Sequence, residues 1–244
     1  MFLLKEMGGM LLLLLESLWW LFRPPFRFRL FIKQMEFIGV NSLFVVSLTG
    51  LFTGMVLALQ TYHAFRMFSA ESLVGATVAL SVTRELGPVI TSLMVTGRAG
   101  SAIAAEIGTM RVTEQIDALT VMAISPVQYL VLPRIVAGIL MLPLLTAISD
   151  FIGITGGYVV GVKLLGINSG LFLNKIYEYV DYDDIYNGLI KAAFFGLIFT
   201  LVGCYKGFYT RGGAEGVGKA TTEAVVLGSV LILVFDYVLT ALMF

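Results

Sequence analysis

Five long runs of mostly apolar residues, at 37–62, 86–107, 127 to about 148, 189–205 and 222–243, organise the chain, with short polar segments between them. About 20 apolar residues carry a helix across the roughly 30 Å hydrocarbon core of a bilayer, so each run predicts a transmembrane helix. The runs are too continuous for the alternating strands of an outer-membrane barrel. Ahead of them, 1–22 is apolar but is interrupted by Glu16, ends in Trp19 and Trp20, and is followed by Arg23, Arg27, Arg29 and Lys33. A signal peptide carries its positive charge before its apolar run. The order seen here predicts instead a helix lying in the membrane interface, with its tryptophans at headgroup depth.

The smaller features refine this pattern. Gly50 and Gly54 have the small-xxx-small spacing that lets two helices approach closely. Segment 65–83 is mixed, and its pattern fits either an excursion outside the membrane or the early turns of a long second helix. Ser125 followed by Pro126 reads as an N-cap and first helical residue for the third span, which Pro133 and Pro143 should bend and which Gly153, Gly157 and Gly161 extend. Segment 168–187, with Glu178, Asp181, Asp183 and Asp184, reads as an exposed loop containing a short helix, and 207–218 as a glycine-rich turn.

Composition supports the membrane class: 58% of the 244 residues are hydrophobic and 13% charged, more apolar surface than a soluble domain of this size buries. A net charge of zero carries no signature of a nucleic-acid partner. The distribution of charge is more informative. With the N-terminus inside, Lys5, Arg23, Arg27, Arg29, Lys33, Arg111, Arg134, Lys206, Arg211 and Lys219 fall on the cytoplasmic side, ten of the sixteen basic residues. Arg66, Arg84, Lys163, Lys175 and Lys191 fall outside, and five spans place the C-terminus outside. The single cysteine, Cys204, reads as a packing residue, and the single histidine, His63, precludes a histidine-based metal site or a catalytic triad. Residues 213–220, GAEGVGKA, nearly match a phosphate-binding loop, but Ala220 stands where a hydroxyl would hold magnesium and no strand precedes the glycines. No catalytic or metal site is predicted.

Polar residues inside the spans are the candidate functional groups. Arg98, halfway along the second span, needs a partner, and Glu106, Asp150 and Asp236 are the candidates. Arg84 and Glu85 lie at the outer end of the same span beside Gly87 and Pro88, where they read equally as the charge beside a lipid cavity or as an interfacial ion pair. Between spans two and three, Val112, Ile116, Leu119 and Ala123 recur at helical spacing, with Glu114 and Asp117 on another face and Thr113 as a potential N-cap. This predicts a short amphipathic cytoplasmic helix, either a handle for a soluble partner or an interfacial helix with no docking role.

The stretches RELGPV at 84–89, GRAGSAIAAEIGTMRVTEQIDAL at 97–119, GVGKATTEAVV at 216–226 and DYVLTALMF at 236–244 resemble those of the MlaE-type permeases. These are the membrane subunits of ABC transporters that move phospholipid between the membranes of diderm bacteria. The resemblance runs from about Phe37 to the C-terminus; residues 1–36 match in character only. It implies an N-terminal interfacial segment (1–36) and a permease domain (37–244), an all-α fold, and a homodimer in the inner membrane. It further implies two cytoplasmic ATPases carrying the ATP and magnesium, and a periplasmic ring of MCE-domain proteins. Thr113, Glu114, Gln115, Ile116, Asp117 and Leu119 become the expected ATPase-coupling residues. Leu57, Gln60, Phe65 and Phe68 join Arg84 and Glu85 as expected lipid-binding residues. The alternative is a secondary transporter or channel with an ion path through Arg98, Glu106, Asp150 and Asp236.

Overall fold

The computed structural model describes residues 2–21, 23–24 and 27–243, with side chains from Glu6 onward. Phe22, Phe244 and the Lys5 side chain, all used in the sequence reading, lie outside the described residues. The described residues are almost wholly helical and contain no strand. An N-terminal helix, Phe2–Leu21, precedes five membrane-length helices: Phe28–Arg66, Glu71–Val112, Val127–Leu164, Tyr182–Phe208 and Gly213–Met243. A short linking helix, Gln115–Val121, joins spans two and three, and a surface helix, Ser169–Tyr179, joins spans three and four.

Every span is longer than the apolar run that announces it. At 1.5 Å per residue the 42-residue second span is about 63 Å long, twice the hydrocarbon thickness. Residues 71–83 are therefore the early turns of that helix, which settles the open choice at 65–83. The extra length is stabilised by packing: Val74, Val78 and Val82 join Ala58, Val160, Ile167 and Phe172 in a second apolar core at the end opposite the linking helix. The fifth span also starts early. Residues 213–220 form its first turns rather than the loose turn read from the glycines, and the chain reverses just before it, at Gly212 and Gly213, both with positive φ.

Spans one and three make the closest pairing, and their glycine spacing explains it. A Cβ on Gly54 would overlap the backbone carbonyl of Gly153, and one on Gly50 would meet Ser149. Spans three and four touch in the same way where Gly138 meets Gly196. The fourth span is the most enclosed, in contact with spans two, three and five, whereas the fifth is largely exposed. Pro133 is accommodated by a π-helical turn at Val127–Val131 immediately before it, which frees the carbonyls that the proline ring cannot pair.

Arg98 corrects one expectation. It pairs with no acid among the described residues; Glu106 binds Arg134 at 2.7 Å, and Asp236 faces Lys191. Instead Arg98 donates to Ser42 Oγ at 2.9 Å and to the carbonyls of Phe37 and Ile38, and stacks over the Phe37 ring. The first span breaks there, between Ile38 and Leu43; the Ser42 hydroxyl meets the Ile38 carbonyl at 2.6 Å, and the Phe37 carbonyl turns to Arg98. The arginine supplies donors there. Arg98→Ala is expected to lower stability by about 1–3 kcal/mol, because buried carbonyls lose charge-assisted bonds; thermal denaturation in detergent measures it, with Arg98→Lys recovering part of the loss.

Candidate functional site

The linking helix is shorter than its sequence periodicity suggests, and it is capped differently. The second span continues through Val112, so that residue belongs to the preceding helix, and Ala123 falls beyond the linking helix in a positive-φ conformation. Thr113 does not cap: its hydroxyl bonds back to the Thr109 carbonyl at 2.8 Å. Glu114 occupies the N-cap position in the left-handed region, φ 60°, which turns the chain sharply out of the second span. Ile116 is buried and Leu119 half-buried, anchoring the helix, while Thr113, Glu114, Gln115 and Asp117 are exposed. Arg111 holds Asp117 at 2.6 Å across the turn. The result is a fixed, polar, outward-facing knob at one end of the bundle.

At the opposite end of the bundle, the second span is π-helical over Val82–Leu86, just before Gly87 and Pro88, and this turn carries Arg84 and Glu85. These two residues do not pair with each other, nor do they sit at a helix end. They lie about 20 Å along the span from its start, and both reach the fourth span. Asp184 is set by a capping box, accepting the Asp181 N–H through Oδ2 at 3.0 Å while Oδ1 receives Arg84 at 2.7 Å. Lys191, fully buried, donates to Glu85 at 2.8 Å, to Thr240 Oγ1 at 2.7 Å and to the Arg84 carbonyl at 3.1 Å, and stands 3.5 Å from Asp236.

This cluster ties spans two, four and five together. Its inner members, Asp184 and Lys191, are 4% and 0% exposed, whereas Arg84 and Glu85 keep 38% and 37% of their side chains accessible. The network thus presents one charged edge outward from a buried base. Sequence reasoning grouped Asp236 with Arg98 and treated Lys191 as a surface cation, missing Asp184, Lys191 and Thr240 as partners. The available signal was a lysine followed at once by an apolar run, a position where a charge requires a counter-ion.

None of the remaining expected lipid contacts is bonded to this cluster among the described residues. Leu57 and Phe65 pack on the second apolar core, while Gln60 and Phe68 are exposed. None of the principal cavities among the described residues is lined by any of the six. Nor do the residues of the ion-path alternative form a chain. Asp150 is buried over Gly87, where a Cβ would overlap its carboxylate, and its Oδ1 has no hydrogen-bond partner among the described residues. Glu106 and Asp236 are engaged separately, by the third and fourth spans. No group of three or more His, Cys, Asp or Glu among the described residues could hold a metal ion.

The family model described as permease MlaE matches residues 31–242. A probable ABC transporter permease protein of Rickettsia bellii is 49% identical over 240 residues, covering 98% of this chain and 93% of its own length. The intermembrane phospholipid transport system permease protein MlaE of Haemophilus influenzae is 46% identical over 225 residues, covering 91% and 86%. The chloroplast protein trigalactosyldiacylglycerol 1 of Arabidopsis thaliana is 39% identical, covering 87% of this chain and 61% of its own length. With five membrane-length helices and a match over nearly its whole length, the chain belongs to the MlaE permease family, the membrane component of an ABC transporter whose ATPase is a separate subunit.

Proposed function

We propose that this permease moves phospholipid between the inner and outer membranes of a bacterium. In this reading two copies enclose a lipid chamber, two ATPases holding ATP and magnesium dock at the linking helix, and an MCE-domain ring receives or delivers lipid at the opposite end. The observation that carries the reading is the layout of the second span. One continuous helical span, with π-helical turns at Val82–Leu86 and Thr96–Gly100, runs from the charged edge at Arg84 and Glu85 to the turn that carries the exposed Thr113–Asp117 knob, and so links the two ends. The printed name of the Haemophilus influenzae relative supplies the cargo class.

The chamber is assigned to the dimer because, among the described residues of a single copy, Leu57, Phe65 and Phe68 line no principal cavity with the charged edge. With a second copy, a phospholipid gains apolar walls and a polar headgroup site. The orientation follows the basic residues: Arg27, Arg111, Lys206, Arg211 and Lys219 gather at the linking-helix end, which is therefore assigned to the cytoplasm with the N-terminus, leaving the C-terminus periplasmic.

Replacing Glu114 and Asp117 together by lysine is expected to abolish ATPase association, since both side chains are exposed while the buried Ile116 and half-buried Leu119 keep the helix anchored. Co-purification of the ATPase from mild detergent reads it directly. Retention of the ATPase at wild-type levels would refute the coupling assignment. ATP-dependent transfer of a fluorescent phospholipid from proteoliposomes holding the assembled complex tests the cargo, and a complex that hydrolyses ATP without moving lipid would exclude it.

A further inference from the structure

At the linking-helix end, two hollows meet at Glu6. The first is an apolar groove of about 450 Å³ between the N-terminal helix and spans four and five, walled by Leu11, Leu14, Leu197, Leu201, Leu227 and Leu231. The second is a polar cavity of about 190 Å³, walled in part by Lys206, Arg211, Lys219, Tyr205 and Tyr209. Glu6 lines both, so together they make one slot that is apolar along its length and carries, at one end, Lys206, Arg211 and Lys219 against the carboxylates of Glu6 and Glu223.

Its dimensions match one leaflet. Along the fourth span, the rise from Phe194 at the far end of the groove to Lys206 is roughly 18 Å, against about 15 Å for half the hydrocarbon core. The charges at the polar end are unevenly used. Lys206 is engaged by Glu6 at 2.6 Å and Glu223 at 3.0 Å. Lys219 is 78% exposed and only 3.9 Å from Glu223, and Arg211 has no ion pair among the described residues. Two cations are therefore available beside a groove shaped for a hydrocarbon chain. A purely apolar helix face would fill the groove and leave them unanswered, whereas one amphiphile answers both.

We propose that this slot binds one phospholipid with an anionic headgroup, its acyl chain in the groove and its phosphate between Arg211 and Lys219. The lipid mortars the N-terminal helix onto spans four and five. Its headgroup site lies at the opposite end of the bundle from the charged edge at Arg84 and Glu85, and the proposal does not depend on the transport reading above.

Native mass spectrometry of the full chain in mild detergent tests this, with phosphatidylglycerol and phosphatidylcholine of identical acyl chains added in turn. Wild type should retain one phosphatidylglycerol in preference to phosphatidylcholine by about tenfold or more, the effect of two basic residues at an anionic headgroup. Arg211→Ala with Lys219→Ala should equalise the two lipids, and Leu231→Trp, which fills the groove, should reduce retention of both. Equal retention of the two lipids by wild type, or undiminished retention in Leu231→Trp, overturns the proposal. So does an oxidative dimer of a Leu231→Cys chain carrying Cys204→Ala, which would put a second copy in the groove.

Discussion

Lys191→Met is expected to destabilise the protein by about 3–5 kcal/mol, the cost of removing one partner from a buried ion cluster. The lysine is completely enclosed, and its ammonium is the only cation bonded to Glu85 or facing Asp236 among the described residues. Without it, two partly buried carboxylates from different spans are left with no cation between them. Thermal unfolding followed by size-exclusion chromatography in detergent should show a large drop in midpoint. Combining Lys191→Met with Glu85→Gln and Asp236→Asn removes the unpaired charges, and most of the stability should return. Transport separates structure from function: if the charged edge contacts lipid, the stable triple variant remains inactive. A Lys191→Met protein with a wild-type midpoint would show that the cluster does not hold the spans together.

Gly54→Leu should be the most damaging of the glycine substitutions on the first span. Its Cβ would overlap the Gly153 carbonyl, which belongs to the backbone of the third span and has no rotamer by which to escape. The two helices must separate. In a bilayer, association between helices rests on close packing rather than on the hydrophobic effect, so a forced gap is not offset by burial elsewhere. Overpacking costs about 1–3 kcal/mol in ordinary cores, and a backbone clash at the closest helix pair belongs at or above the top of that range. The expected result is loss of monodisperse protein. Gly97→Ala is the control, since nothing lies within 4 Å of the position its Cβ would take and it should behave as wild type. Equal behaviour of the two variants would refute close packing at Gly54.

Some elements were legible from the chain alone. The five apolar runs marked five spans because the hydrophobic demand of the bilayer is a local property of about twenty consecutive residues. The short polar segment after the second span marked a linking helix for the same reason, although the cap moved from Thr113 to Glu114 because Thr113 bonds back into the preceding helix. The Gly50 and Gly54 spacing announced a close contact without naming its partner. The helix end was left open at residues 71–83 and misjudged at 213–220, where helix continues past the apolar run because tertiary packing or a preceding positive-φ turn sets the boundary.

Periodicity, span count and family motifs are written along the chain, since each depends on residues close together in sequence. Counter-ions are not. Arg98 was offered three acids and took carbonyls from the first span, while Asp236 met Glu85 through a lysine that had been read as superficial. Which charge meets which depends on the rotation and register of separate helices, and these are decided by distant glycine contacts such as Gly54 with Gly153 and Gly138 with Gly196. Only the assembled bundle carries that information.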